Sequence, residues 1–196
     1  MSFLEIIDNL YEELYILCYN ITYDRERFND IENIETKTRI YFLTESLIKQ
    51  IKVFNNDSII YSSPTNYDTK KRFEMNDLED GNRYLEDGNR GLLNYFAMFG
   101  YNDLIKLMID NGADVNRCDC HGVSPYYEAL LSGKIDTCKL LLEYGADISF
   151  LVKEYLHNPE DFLFNIDDED NIREYFISEV KNFITFKLCK YLVYLI

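Results

Sequence analysis

Residues 100–115 read GYNDLIKLMIDNGADV and residues 133–148 read GKIDTCKLLLEYGADI, so one pattern occurs twice with a spacing of 33 residues. The two copies share a first glycine, an Asp three residues later, a Lys-Leu pair and a closing Gly-Ala-Asp. A repeat of this length is typical of arrays in which each unit buries its apolar side against its neighbours. The pattern predicts stacked helical hairpins and a function carried by a surface rather than by a pocket.

The segment before the second copy has the features of a helix start, and it reads DCHGVSPYYEA over residues 119–129. Ser124 can accept a hydrogen bond from the free N–H groups of the first helical turn. Pro125 fits that turn because its missing donor would have no partner there. Gly133 and Gly145 can adopt the left-handed conformation that ends helices. Residues 91–149 are therefore expected to form two helix pairs that lie side by side.

These residues resemble the ankyrin repeat family, whose units open with Asp-x-x-Gly-x-Thr-Pro-Leu-His-x-Ala and end with Gly-Ala-Asp. The resemblance implies an all-α fold, a short ankyrin-type solenoid of two recognisable repeats flanked by capping helices. Two positions depart from the family pattern. Tyr127 stands where the family has His, and Gly91-Leu92 replaces Thr-Pro in the first unit. Because that replacement removes the side-chain cap, the first unit is expected to be frayed or terminal.

The flanking segments divide the chain into four regions. Apolar residues at steps of three and four predict a helix over 3–22 and a second over about 35–54, which together form an N-terminal helical region, 1–58. A polar loop or linker follows over 59–85, the repeats occupy 86–149, and a C-terminal helical cap occupies 150–196. Val152 and Asn158 break the 33-residue register in the cap, where a helix is expected from residue 171.

Composition argues against several classes of function. The 196 residues are 47% hydrophobic and carry a net charge of −15. With 35 acidic and 20 basic residues and no basic stripe, we expect no nucleic-acid partner. Five cysteines without regular spacing favour reduced thiols, and the sequence does not open with a secretory signal, so we expect a cytoplasmic protein. The bias towards Asn, Ile, Tyr and Lys resembles ankyrin proteins of large DNA viruses or intracellular bacteria, which implies the host cell cytoplasm.

The end of the chain has two interpretations. Its largely apolar last helix could contact a membrane, but Lys181, Lys187 and Lys190 interrupt it, and only six residues follow the last lysine. A helix that spans a bilayer needs about 20 apolar residues. A buried cap is therefore the favoured interpretation, and contact with a membrane surface is the alternative.

Residues that could carry chemistry are few. Cys118, Cys120 and His121 cluster on the turn between the repeats, and thiolates and imidazole bind zinc, but no fourth ligand stands at a suitable spacing. Neither His121 nor His157 is paired with a nucleophile in a catalytic motif, and no glycine-rich phosphate loop is present. The sequence therefore predicts no metal site, no cofactor and no enzyme.

The resemblance also implies where a partner protein would bind. Ankyrin repeats usually grip partners with their turn tips and with the exposed side of the first helix of each unit. The matching positions in this chain are Asp87, Arg90, Met98, Phe99, Cys118, Cys120, His121, Val123, Leu131 and Ser132. Four of them are large and apolar, which is typical of contact sites. In the alternative interpretation, the N-terminal helices or the tail fold over this groove and bury it.

Three functions are compatible with these features. The favoured one is a non-catalytic protein–protein interaction module that binds a partner, such as a host protein, through turn tips and inner helices. The first alternative is an adaptor that recruits a target to other machinery such as a ubiquitin ligase. The second alternative is a peripheral membrane protein that uses the C-terminal helix.

Overall fold

The computed structural model describes residues 3–23, 34–57, 91–119, 121–166 and 170–193. Within these ranges all regular structure is α-helical: α1 (Phe3–Tyr23), α2 (Ile34–Asp57), α3 (Leu92–Phe99), α4 (Asn102–Asp110), α5 (Pro125–Leu131), α6 (Ile135–Glu143), α7 (Ser149–His157), α8 (Pro159–Phe164) and α9 (Asp170–Val193). The predicted all-α fold is confirmed. The predicted linker over 59–85 and the candidate residues Asp87, Arg90 and Cys120 lie outside the described residues.

Two hairpins of short helices form the centre of the fold. Gly100 joins α3 to α4 and Gly133 joins α5 to α6, with φ angles of 76° and 67°. The residue after each glycine donates its N–H to the carbonyl five positions earlier, at 2.9 Å in the first hairpin and 2.8 Å in the second. Glycine adopts this left-handed backbone without a steric penalty. The two helix pairs predicted for residues 91–149 are present.

The first helix of the first hairpin, α3, is well packed although it lacks a side-chain cap. Gly91 occupies its N-cap position and makes no side-chain hydrogen bond. Every residue of α3 except Met98 is nevertheless buried. Each fully buried large apolar side chain stabilises by about 1.5–3 kcal/mol, whereas a lost cap costs about 1 kcal/mol. The expectation of a frayed first unit is therefore wrong.

The two hairpins stack with α3 against α5. Side-chain hydrogen bonds join the second helices of the two units, and also the turns that follow these helices. The hydroxyl of Thr137 donates to Oδ1 of Asn102 at 2.7 Å. Asn116 donates through Nδ2 to the carbonyl of Gly145 (3.2 Å) and accepts from the N–H of Asp147 (2.7 Å). Because Asn116 uses both ends of its amide on the following turn, it fixes the spacing between the two turns.

The N-terminal helices cover the free end of the α3–α4 hairpin. α1 and α2 pack along each other. Tyr15 of α1 meets Tyr95 of α3 edge-on, with ring centroids 5.6 Å apart. On the α2 side, the ammonium group of Lys37 lies 5.8 Å from the ring centroid of Tyr101, within the range of a cation–π contact. The helix pair thus takes the place of a preceding repeat, and the predicted N-terminal cap is confirmed.

A third helix pair follows the two predicted repeats. Asn158 caps α8 with its side chain and Pro159 is the first helical residue, as Ser124 and Pro125 are in α5. α8 begins 34 residues after α5, so the repeat register has slipped by one residue. The sequence interpretation, a cap with one helix from residue 171, missed this unit. Its signal was present in the Asn-Pro pair, one position later than the register requires.

Aromatic rings join this third pair to the rest of the stack. The ring of Phe162 in α8 stacks on Tyr127 of α5, with centroids 6.0 Å apart and planes 15° apart. Phe162 also stacks on Phe176 of α9 at 5.1 Å, and Tyr155 of α7 meets both phenylalanines edge-on. α8 therefore holds the first-helix position of a third unit, although it packs less closely on α5 than α3 does, and α9 contacts α8 through Phe176.

The helix α7 replaces the extended turn that leads into a repeat. The preceding unit uses residues 111–124 for that connection, without a helix. The third unit uses residues 144–158, and nine of these form α7. α7 is held by its buried residues Leu151 and Val152, the second of which had been interpreted as a break in the repeat. The connection is one residue longer and presents a helix instead of an open turn.

Candidate protein-binding surface

The turn between α4 and α5 is organised by a single carboxylate. Oδ1 of Asp119 accepts hydrogen bonds from the N–H groups of His121 (2.9 Å) and Val123 (2.8 Å). The N–H of Asp119 donates in turn to the carbonyl of Val123 at 3.0 Å. Gly122 lies between them with a φ of 77°. These bonds hold the turn in one shape and leave the side chain of His121 exposed.

A buried asparagine ties this turn to the preceding unit. Asn94 of α3 is 1% exposed, and its Nδ2 donates to the carbonyl of Val123 at 2.9 Å. It stands 33 residues before Tyr127, at the position where the ankyrin pattern has His. The bond crosses from one repeat to the turn of the next. Sequence reasoning missed Asn94 because the first unit had been interpreted as lacking its polar contacts.

Replacing Asn94 with Ala is expected to lower the free energy of unfolding by about 1–2 kcal/mol, the usual cost of losing a buried hydrogen bond. The substitution should also raise amide hydrogen exchange at residues 121–123, because their link to α3 is lost. Urea unfolding and exchange measurements test both effects. Asn182→Ala, which changes an exposed asparagine on α9, is the matched control and should cause no loss. An unchanged unfolding midpoint for Asn94→Ala would show that the bond does not couple the two units.

The turn that follows α6 is also organised by a carboxylate. The carboxylate of Asp147 accepts from the N–H of Ser149 at 2.8 Å. These hydrogen bonds from Ser149 hold the pKa of the Asp147 carboxyl below its ordinary value, and the nearby charges of Lys187 and Lys153 lower it further. Asp147 therefore stays ionised in neutral solution.

The described candidate residues differ in how far they reach solvent. The exposed ones are Cys118 and His121, the half-buried ones are Met98, Val123, Leu131 and Ser132, and the buried one is Phe99. Six of the seven therefore have some surface that a partner could reach. All six lie on α3, at the end of α5, or on the turn between α4 and α5. These are the places that the ankyrin resemblance indicated.

Phe99 is 8% exposed and belongs to the core instead. Its ring packs against Tyr95 at 6.2 Å and against Tyr101 at 5.4 Å. Both tyrosines are covered in turn by the N-terminal helices, through Tyr15 and Lys37. The prediction that Phe99 shows its ring to solvent is wrong. At this position the alternative applies, in which the N-terminal helices close the end of the stack.

Three large apolar side chains form what we call the apolar row: Met98, Leu131 and Phe164. Each lies in the last turn of a first helix, respectively α3, α5 and α8. Met98 and Leu131 are half-buried, whereas Phe164 is 84% exposed. α3 packs closely along α5, and α5 meets α8 through the stacked rings of Tyr127 and Phe162. The sequence had not indicated Phe164, since α8 was not recognised as a first helix.

The turn carries little reactive chemistry. Partial burial raises the pKa of the Cys118 thiol, and the carboxylates of Asp119 and Asp114 raise it further. The thiol is therefore protonated in neutral solution and is a poor nucleophile or metal ligand. Among the described residues, no group of three His, Cys, Asp or Glu side chains is placed to hold a metal ion. Cys120, the remaining member of the Cys-x-Cys-His cluster, is outside the described residues.

Stacked helical hairpins, linked turn to turn by side-chain hydrogen bonds, define a solenoid repeat protein. A family model described as ankyrin repeats in three copies matches residues 65–150, beginning before residue 86, the predicted start of the repeats. An ankyrin repeat protein of Rickettsia bellii (strain RML369-C) is 33% identical over 109 residues, covering 55% of this chain and 42% of that protein. The chain thus spans about two fifths of the length of this curated relative. Residues 65–150 are thus similar to ankyrin repeats, and the stacked hairpins of residues 91–143 agree with that similarity.

The similarity to ankyrin repeats indicates the general class of function. Ankyrin repeats are protein-interaction modules, and the family fold is non-enzymatic. No described helix is long and apolar enough to cross a bilayer.

Proposed function

We propose that this chain binds a partner protein through the apolar row together with the turn over residues 117–123. The observation that carries the proposal is the exposure of Phe164, which is 84% accessible at the end of α8. Aromatic side chains at the centre of an interface supply a large share of binding energy. A phenylalanine exposed to this extent gains most when a partner removes it from water.

The partner would complement both the apolar row and its charged border. Glu160 and Asp161 are exposed on α8, in the turn before Phe164. The chain as a whole carries a net charge of −15. An apolar patch with a basic rim is therefore the favoured partner surface, because opposite charges speed encounter and select against acidic proteins.

A cytoplasmic site of action, in a host cell if the source is a virus or an intracellular bacterium, is part of the proposal. The free thiols of Cys18, Cys118, Cys138 and Cys189 support it. Free cysteines persist in reducing compartments, whereas secreted proteins usually pair them. Host proteins of such a compartment are the first group in which to seek the partner.

The double variant Leu131→Ser with Phe164→Ser tests the proposal. A partner is first recovered by affinity capture with the unaltered chain, and its dissociation constant is then measured by calorimetry. We expect the double variant to weaken binding at least about 30-fold, since two interface anchors contribute about 1 kcal/mol or more each. The melting temperature should change little because neither side chain is fully buried.

Phe42→Ser is the matched control, because Phe42 is 67% exposed on α2, away from the proposed surface. It should bind the partner as tightly as the unaltered chain does. Equal affinity for the double variant and the control would refute the proposed surface. A large fall in melting temperature for the double variant would instead show that the apolar row belongs to the core.

A further inference from the structure

The helix α4 ends at the pair Asn111–Gly112, and the sequence contains no other Asn-Gly pair. In such a pair the backbone nitrogen of the glycine can approach the side-chain amide of the asparagine, because glycine has no Cβ in the way. Gly112 is exposed, and apart from its chain neighbours no atom lies within 4 Å of the place where a Cβ would stand. The equivalent pair in the following unit is Tyr144–Gly145, so only the first unit carries this side-chain amide.

The closed end of α4 keeps the backbone nitrogen and the side-chain amide apart. Nδ2 of Asn111 donates to the carbonyl of Leu107 at 2.6 Å. The N–H of Gly112 donates to the carbonyl of Ile109 at 2.9 Å. A ψ of 11° at Asn111 also turns the Gly112 nitrogen towards the backbone nitrogen of Asn111 and away from its side chain. The two groups can therefore meet only after the last turn of α4 has opened.

We infer that Asn111 is a site of spontaneous deamidation and that the local opening of α4 sets its rate. Helix ends open at a lower free energy than the whole fold does. In the open form the backbone nitrogen of Gly112 attacks Cγ of Asn111 and gives its proton to water, while Nδ2 leaves as ammonia. The product of this step is a five-membered imide. Water then adds to one of the two imide carbonyls and gives either aspartate or isoaspartate, so the net reaction consumes water and releases ammonia.

The aspartate product fits the closed helix end less well than asparagine does. An ionised carboxylate has no proton to donate, so repulsion between two oxygens replaces the hydrogen bond to the Leu107 carbonyl. The new negative charge also lies at the negative end of the α4 dipole. It stands directly beside Asp110, whose carboxylate accepts a hydrogen bond from the hydroxyl of Tyr144 at 3.3 Å. Deamidation therefore favours the open form of the helix end from which it took place.

The isoaspartate product also changes the backbone of the turn that follows α4. In isoaspartate the main chain runs through the former side chain, which lengthens it by one carbon atom. Just beyond this point Ala113 donates its N–H to the carbonyl of Met108 at 3.1 Å, and Asn116 bonds to the turn after α6. The extra atom shifts these groups relative to α4 and so loosens the base of the turn over residues 117–123. The reaction itself does not depend on a partner protein.

Peptide mass spectrometry of the full chain, incubated in mildly alkaline buffer with and without denaturing urea, tests this inference. In urea we expect Asn111 to deamidate faster than every other asparagine. In buffer alone its rate should be at least about tenfold lower, because two hydrogen bonds must break before the reaction. Asn111→Gln is the matched control and should react far more slowly in urea, since its longer side chain would have to form a larger ring. Faster reaction at another asparagine in urea, or equal rates at Asn111 in both buffers, would overturn the inference.

Asn111→Asp reproduces the charge of one product and tests its effect on the helix end. Amide hydrogen exchange at residues 111–113 should become about tenfold faster, the combined effect of a lost hydrogen bond and an unfavourable charge at a helix C-terminus. Asn182→Asp adds the same charge at an exposed position on α9 and should leave this exchange unchanged. Equal exchange in Asn111→Asp and the unaltered chain would show that the product closes the helix end as asparagine does, contrary to the inference. Neither experiment bears on the apolar row, whose test is partner affinity.

Discussion

Phe176→Ala is expected to lower the free energy of unfolding by about 3–5 kcal/mol, the range for removing a buried phenylalanine ring. Phe176 is fully buried on α9, where it stacks on Phe162 and meets Tyr155 edge-on. These three rings join α7, α8 and α9, so the loss of one leaves a cavity shared by all three helices. The effect should therefore reach the whole third unit rather than a single helix.

Urea unfolding followed by circular dichroism measures the effect, and Phe186→Ala provides the matched control. It removes the same side chain from the same helix at an exposed position. Substitutions at such positions usually change stability by less than about 0.5 kcal/mol. If both variants unfolded at the same urea concentration, α9 would not be packed against the stack as described.

Phe99→Ser is expected to cost at least about 3 kcal/mol, because it removes a buried ring and adds a hydroxyl to an apolar site. The ring lies between Tyr95 and Tyr101, at the junction of the first repeat with the N-terminal helices. Leu131→Ser removes a half-buried side chain from the equivalent region of the second unit and should cost clearly less. Thermal melts of the two single variants measure the difference.

This comparison decides whether Phe99 belongs to the core or to a contact surface. A melting temperature for Phe99→Ser equal to that of the unaltered chain would place the ring on the surface and contradict the packing described here. The expected instability also has a practical consequence. A variant that carries Phe99→Ser would lose partner binding through unfolding, so it is unsuitable for mapping the binding surface.

The two central hairpins could be predicted because local sequence determines them. Gly100 and Gly133 end helices through local backbone geometry, and Ser124 with Pro125 starts a helix in the same local way. The 33-residue spacing of these signals was therefore enough to predict the two hairpins. The third unit could not be predicted by the same rule. Asn158 and Pro159 start α8 one residue late, and no glycine follows α8, where Asn165 ends the helix. A search confined to one register therefore missed it.

The candidate site was predicted only in part, since exposure depends on packing between distant segments. Phe99 and Met98 are adjacent and equally apolar in the sequence, yet Phe99 is buried and Met98 is half-buried. The difference arises from α1 and α2, whose covering of Tyr95 and Tyr101 no local pattern reveals. Phe164 was missed because the sequence analysis did not predict α8. Asn94 was missed because its partner, the Val123 carbonyl, belongs to the next unit.

Amide hydrogen exchange of the chain, alone and saturated with its captured partner, tests the central claim most directly. That claim is that the first helices and the turn between them bind the partner. The account predicts slower exchange in the bound state at residues 117–123 and in α5 and α8, with α2 unchanged. Protection confined to α1 and α2, or to residues 181–189, with none on the first helices, would contradict it.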